Sequence, residues 1–141
     1  MTPLEKATKI VYKMMLQNDT FSQWMDIEII KIVPGSCHLK TIIRKEMLNG
    51  FQFCHGGVTF SIADSALAFA SNSHGIQAVS IETSISHFKT VNLGDIITAV
   101  AIEKNLSNRL GNYEVSLTNQ HSELVALFKG TVFRNGKEWE L

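Results

Sequence analysis

The sequence contains no apolar run approaching the roughly 18 residues that span a bilayer, so no transmembrane helix and no membrane partner are expected. Its first residues, Met1-Thr2-Pro3-Leu4-Glu5-Lys6, lack the apolar core of a secretory signal. Only two cysteines occur, Cys37 and Cys54. They make no disulfide framework, and a reducing, cytoplasmic setting is the expectation. Neither sign of charge predominates, because 13 Lys and Arg balance 13 Asp and Glu. That balance argues against nucleic acid or an anionic membrane as a partner. There is no repeat, low-complexity segment or linker. What is present is an ordinary globular composition, 45% apolar and 18% charged, and 141 residues form one domain (1–141) with room for a real core.

The stretch around which the chain is organised runs from Asn49 to Ser73. From Gly57 to Ala70 it is apolar or small on nearly every side, the pattern of a helix enclosed by the fold, over about residues 56–73. One residue breaks that pattern. Asp64 has Phe60, Ser61, Leu67 and Ala68 as its neighbours one turn away, none of them basic. An ionised carboxylate in such surroundings is costly unless hydrogen bonds or a pocket compensate it. At the helix start stands His55-Gly56-Gly57, where free N–H groups and the positive end of the helix dipole point outward. Together these suggest an active site. The bland alternative is that Asp64 is a satisfied polar residue and that the glycines serve only packing or a turn.

The remaining elements follow from periodicity. Leu4, Ala7, Ile10, Val11 and Met14 form a helical stripe, giving a short helix over residues 3–17 after Thr2 and Pro3. Trp24 to Val33 alternates loosely as a strand, and Pro34-Gly35-Ser36 turns it into a second, Cys37 to Arg44. Gly75 is the expected C-terminal cap of the central helix. Four strands follow: Gln77 to Phe88, Ile96 to Leu106, Tyr113 to Thr118 and Leu124 to Phe133, before a short polar tail. Two strands, one long helix and four more strands predict an α+β domain, most simply a curled antiparallel sheet wrapped around the helix.

With that element order, the residues Asn49-Gly50, His55-Gly56-Gly57 and Asp64 resemble the hotdog-fold acyl-CoA thioesterases, in particular the branch named for phenylacetic acid degradation. The resemblance continues through Ala78 to Thr83, Phe88-Lys89, Leu93-Gly94-Asp95 and Val125 to Thr131, and covers roughly residues 20–134. A departure is Thr90, where the family commonly has proline. The resemblance implies hydrolysis of an acyl- or aryl-acetyl-CoA, with no cofactor and with coenzyme A as part of the substrate. It assigns the carbonyl-polarising N–H to Gly56 and the base or nucleophile to Asp64. Asn49 would hold water or orient the thioester, Ser80 would assist beside the acid, and His55 would shape the loop or touch substrate. Gly57, Thr83 and Lys89 would contribute to substrate or coenzyme A binding, Lys89 at a position that is basic in the family. By charge alone, Lys104 and Arg109 could also meet the phosphates of coenzyme A. The alternative for each cation is a solvated surface charge.

Helix geometry adds an argument of its own. Gly56 and Asp64 are eight residues apart, about 12 Å along an axis, whereas a reacting carbonyl must lie about 3 Å from each group. One helix cannot bring both to the same carbon. Two antiparallel copies can, so a site shared across a homodimer is expected, as the resemblance also implies, with a dimer of dimers as the larger assembly that goes with that family reading. Cys37-His38 and Cys54-His55 invite a zinc reading, but adjacent residues on a strand point to opposite faces and chelate badly, so no metal is expected. Gly56-Gly57-Val58-Thr59 lacks the lysine and spacing of a nucleotide P-loop. A second hotdog activity such as hydration, or a non-catalytic acyl-CoA-binding module, are the alternatives, and Asp64 discriminates between catalysis and silent binding.

Overall fold

The computed structural model describes all residues, Met1–Leu141. Its frame is one six-stranded antiparallel sheet in the order β1-β2-β4-β5-β6-β3, formed by β1 (Glu28–Val33), β2 (Ser36–Ile42), β3 (Ile76–His87), β4 (Ile96–Leu106), β5 (Leu110–Thr118) and β6 (Leu124–Glu138). The sheet curls around helix α3 (Gly56–Asn72), giving the α+β hotdog architecture. Buried side chains alternate along β4 at Ile97, Ala99 and Ala101 and along β5 at Tyr113, Val115 and Leu117. They meet the buried Ile62, Ala63, Ala66, Leu67, Phe69 and Ala70 of the helix. Small side chains on both layers let the helix lie close to the sheet. Gly130 shows how close: a Cβ there would stand 2.7 Å from Leu67 Cδ2. Phe69 and Phe128 are the largest fully buried side chains, and truncating either to alanine should cost about 3–5 kcal/mol.

The N-terminal segment differs from a single helix over residues 3–17. Thr2 and Glu5 form a capping box for α1 (Pro3–Lys9), but the chain then widens into a π-helix at Ile10–Met15 and tightens into a 3₁₀ turn at Leu16–Asn18. Trp24 is not in a strand either. It ends a short helix, α2 (Thr20–Trp24), whose cap Asp19 accepts from the Ser22 N–H at 2.9 Å and the Ser22 hydroxyl at 2.6 Å. Asp26 then turns the backbone at φ 57° before β1 begins. The local capping geometry of Asp19 outweighs the weak alternation that suggested a strand.

The far end of α3 is tied down by one side chain. Asn72 is buried; its Nδ2 donates to Ala68 O at 2.9 Å and Ala78 O at 3.0 Å, and its Oδ1 accepts from the Ala78 N–H at 2.9 Å. Gly75 follows at φ +106°, a conformation that favours glycine, and its N–H donates to Asn72 O at 3.0 Å. These bonds turn the chain directly from the helix into β3, which runs back alongside it. The last strand is longer than its apolar pattern suggests, reaching Glu138, so the tail passes this same corner.

Candidate active site

Two cavities border α3, one at its N-terminal mouth and one along its flank. The first has a volume of about 350 Å³ and is lined by Asn49, Gly56, Thr59, His87 and Lys89, among others. Its geometry begins with His55, which caps the helix: the Gly57 N–H donates to His55 Nδ1 at 2.9 Å. The Gly57 N–H is therefore engaged. The Gly56 N–H has no partner in the chain and is left at the positive end of the helix dipole. An exposed, unpartnered N–H in that position is suited to a carbonyl oxygen that gains negative charge.

Asn49 stands across this mouth. Its Oδ1 accepts from the Phe51 N–H at 2.9 Å and the Phe53 N–H at 3.4 Å, which holds the turn. Its Nδ2 makes no bond within the chain and remains a free donor. Lys89 also borders the cavity but is paired with the Glu123 carboxylate. The Lys89 hydrogen bond, reinforced by Asn119, holds Glu123 below the usual carboxylate range.

The second cavity, about 430 Å³, contains Asp64 and Ser80. The Asp64 carboxylate is half-buried and has neither a hydrogen-bond donor nor a basic partner in the chain. Burial raises its pKa, and the nearby Asp19 carboxylate adds to the effect. Asp19 comes close because Ser22, which it holds, meets Ser65 at 2.9 Å between hydroxyl oxygens. The like charge beside Asp64 thus comes from α2, a helix that the sequence pattern did not reveal. A carboxylate kept short of hydrogen bonds in a cavity is a competent proton acceptor, with a higher affinity for the proton than a solvated one.

The other sequence candidates fall elsewhere. Thr83 lies on β3 opposite Gly130, and Arg109 lies in the β4–β5 turn, where its carbonyl accepts from the Arg134 N–H at 2.7 Å. Neither lines either cavity. Cys54 is buried at the edge of the first cavity, with its thiol pKa pushed up to about 11 by burial, which suits an inert thiol and not a nucleophile. Three contributors, His87, Met15 and Trp139, were not singled out in the sequence. His87 Nε2 lies 2.6 Å from the Thr59 hydroxyl, which itself lies 3.0 Å from Gly56 O, so the end of β3 braces the first helical turn. Met15 and Trp139, from opposite ends of the chain, line the Asp64 cavity. Trp139, an aromatic in a polar tail, was the one available signal.

Comparison with known proteins gives the geometry a context. Residues 51–126 match the family described as the thioesterase superfamily. A putative esterase of Archaeoglobus fulgidus is 39% identical over 125 residues, covering 89% of this chain and 81% of that protein. The acyl-coenzyme A thioesterase PaaI of Escherichia coli K12 is 37% identical over 122 residues, 86% of this chain and 87% of that one. The solved structure of E. coli PaaI, from the phenylacetic acid degradation operon, superposes with a TM-score of 0.94 at 34% identity, over 97% of this chain and 99% of that one. A Streptococcus mutans UA159 protein solved bound to acetyl-CoA superposes with a TM-score of 0.78 at 27% identity, over 80% of this chain and 91% of that one.

Proposed function

The chain belongs to the thioesterase superfamily and is a hydrolase of thioester bonds; from that premise we propose that it hydrolyses an acyl- or aryl-acetyl-coenzyme A at a site shared between two subunits. The observation that carries this reading is the separation of two complementary half-sites. The free Gly56 N–H opens into one cavity and the unpartnered Asp64 carboxylate into another, about 12 Å along the same helix. A second copy with its helix antiparallel would bring Gly56 of the partner subunit opposite Asp64.

The surface of the chain supports such a pairing. Strand β3 is an edge of the sheet, and along its open side Val79 and Ile81 are each 59% exposed. A long, unpaired edge carrying two exposed β-branched side chains favours covering by another strand. Pairing of β3 with its own copy would form a dimer, alone or within a dimer of dimers.

In the proposed reaction a water oxygen attacks the thioester carbonyl carbon while Asp64 takes its proton. The negative charge developing on the carbonyl oxygen is met by the Gly56 N–H, with the free Nδ2 of Asn49 as a further donor to the carbonyl or the water. Collapse of the tetrahedral species breaks the C–S bond, and the thiolate departs with the proton held by Asp64. Acid and thiol are the products, and the step needs no cofactor. Ser80 shares the Asp64 cavity and can donate to the carboxylate or the water. Two free, buried cysteines, Cys37 and Cys54, are in keeping with a reducing compartment such as the cytoplasm.

The test is a thiol-release assay across a panel of acyl-CoAs with wild type and Asp64→Asn. Turnover that disappears in the variant supports the reading. Equal turnover by both on every substrate would remove Asp64 from the reaction.

A further inference from the structure

The Asp64 cavity is elongated along the helix. It is lined from α3 by Asp64, Leu67, Ala68, Ser71 and Asn72, positions that recur at three- and four-residue intervals and so form one continuous face. From Asp64 to Asn72 that face is about 12 Å long. The opposite wall is the start of β3, which runs back from the Asn72 corner, so Gln77 and Ala78 lie at the far end and Ser80 lies nearer Asp64. At the far end stands the indole of Trp139. Its Nε1–H donates to Asn72 Oδ1 at 3.0 Å and its backbone N–H donates to Gly75 O at 2.9 Å, so both ends of the residue are fixed to the corner.

We propose that Trp139 is the end wall of the acyl-binding furrow and sets the longest acyl group that the enzyme accepts. The proposal rests on the reading of Asp64 as the residue beside the reacting carbonyl. From that point the acyl group extends along Leu67 and Ala68 towards the indole. The volume of about 430 Å³ lies within the range of small-molecule sites. The furrow has apolar walls at Leu67, Ala68 and Val79, and polar groups gather at the Asn72 end. A medium-length or aryl acyl group fills that span, while a long chain meets a flat ring held by its own hydrogen bond and by the backbone bond of the same residue. Trp139 is therefore a specificity-determining residue, without a part in bond breaking.

The test compares hydrolysis of hexanoyl- through palmitoyl-CoA by wild type, Trp139→Ala and Trp139→Phe. Trp139→Ala should shift the preference towards longer chains, with kcat/KM gaining about fourfold for each added methylene that finds new space. Trp139→Phe keeps a ring at the end of the furrow and should stay close to the wild-type profile. A folded Trp139→Ala with the wild-type profile, or with the same loss at every length, overturns the proposal. A second measurement serves even if that variant does not fold. The chain has two tryptophans, and Trp24 is half-exposed on α2. In Trp24→Phe the remaining fluorescence belongs to Trp139, and decanoate should change it saturably. No change overturns the end wall. If wild type hydrolyses no acyl-CoA while decanoate still shifts the emission, the hydrolase reading fails and the furrow stands.

Discussion

Gly56 and Asp64 share one helix yet open into separate cavities, with a free N–H at the helix mouth and an unpartnered carboxylate two turns further in. Each is incomplete as an active site. The N–H has no base nearby and the base has no electrophile-activating donor. Neither feature has a structural use in the isolated chain: the N–H binds nothing, and the carboxylate accepts nothing. In the proposed shared site, each would meet its complement on a second, antiparallel copy of the helix.

Asp64→Asn preserves size and hydrogen-bonding groups while removing the proton acceptor. Its rate of thioester hydrolysis is expected to fall by about two orders of magnitude or more, with the fold intact by circular dichroism. Steady-state thiol release on the best wild-type substrate checks this. A variant within a few-fold of wild type would leave Asp64 without a role in the chemical step.

The same substitution is expected to stabilise the protein at neutral pH. Burial first, and Asp19 second, raise the pKa of Asp64 in the folded state, so the folded chain holds that proton more tightly than the unfolded one. Protonation of Asp64 therefore favours folding at low pH, and this contribution is lost as pH rises through the raised folded value. At about pH 7.5 the ionised side chain is a net cost, which the neutral amide removes. The Tm of Asp64→Asn should exceed that of wild type there, and the gap should close as pH falls through the carboxylate range. A Tm at or below wild type at neutral pH would mark Asp64 as a satisfied structural residue.

The sheet and the central helix were legible in the sequence because each carries a local period: alternation at Ile97, Ala99 and Ala101, and a run of small and apolar residues from Gly57 to Ala70. The unusual position of Asp64 was legible for the same reason, as a break in that run. What was not legible depends on contacts between distant residues. The widening of the first helix at Ile10–Met15 and the helix ending at Trp24 have no periodic signature of their own. The approach of Asp19 to Asp64 runs through Ser22 and Ser65, 43 residues apart. Trp139 reaches Asn72 across 67 residues. Sequence spacing indicated which residues were chemically out of place, and only the fold shows which cavity each one faces.

Lys89 is the cation beside the Gly56 half-site, and it is shared with Glu123 on an exposed surface. We expect it to exchange that partner for a phosphate of coenzyme A. Lys89→Ala should then raise KM for acyl-CoA by about threefold to fivefold at low salt, with the effect shrinking as ionic strength rises. KM for a short thioester of N-acetylcysteamine, which lacks the nucleotide, should be unchanged. Equal increases for both substrates would assign Lys89 to the structure of the β3–β4 connection.

The shared site can be tested by complementation between two inactive chains. Asp64→Ala removes the base. Gly56→Pro removes the N–H, and the local structure accommodates it. Gly56 is the first residue of the helix, where proline's fixed φ is favoured, and its N–H has no partner to lose. His55 before it is already extended at φ −62° and ψ 134°, as a residue preceding proline requires. A Cβ at position 56 would lie 3.4 Å from the His87 ring, an ordinary contact. Each variant alone should be nearly inactive. The two are then unfolded and refolded together in equal amounts. If every site takes Asp64 from one subunit and Gly56 from the other, a mixed dimer holds one intact site and one doubly damaged site. Random pairing makes half the dimers mixed, so activity should recover to about a quarter of wild type. If each site lay within a single chain, every site would carry a lesion and mixing would restore nothing. Mixed dimers confirmed by native mass spectrometry, yet as inactive as the parents, would rule out the shared site and leave the two cavities of each chain to separate purposes.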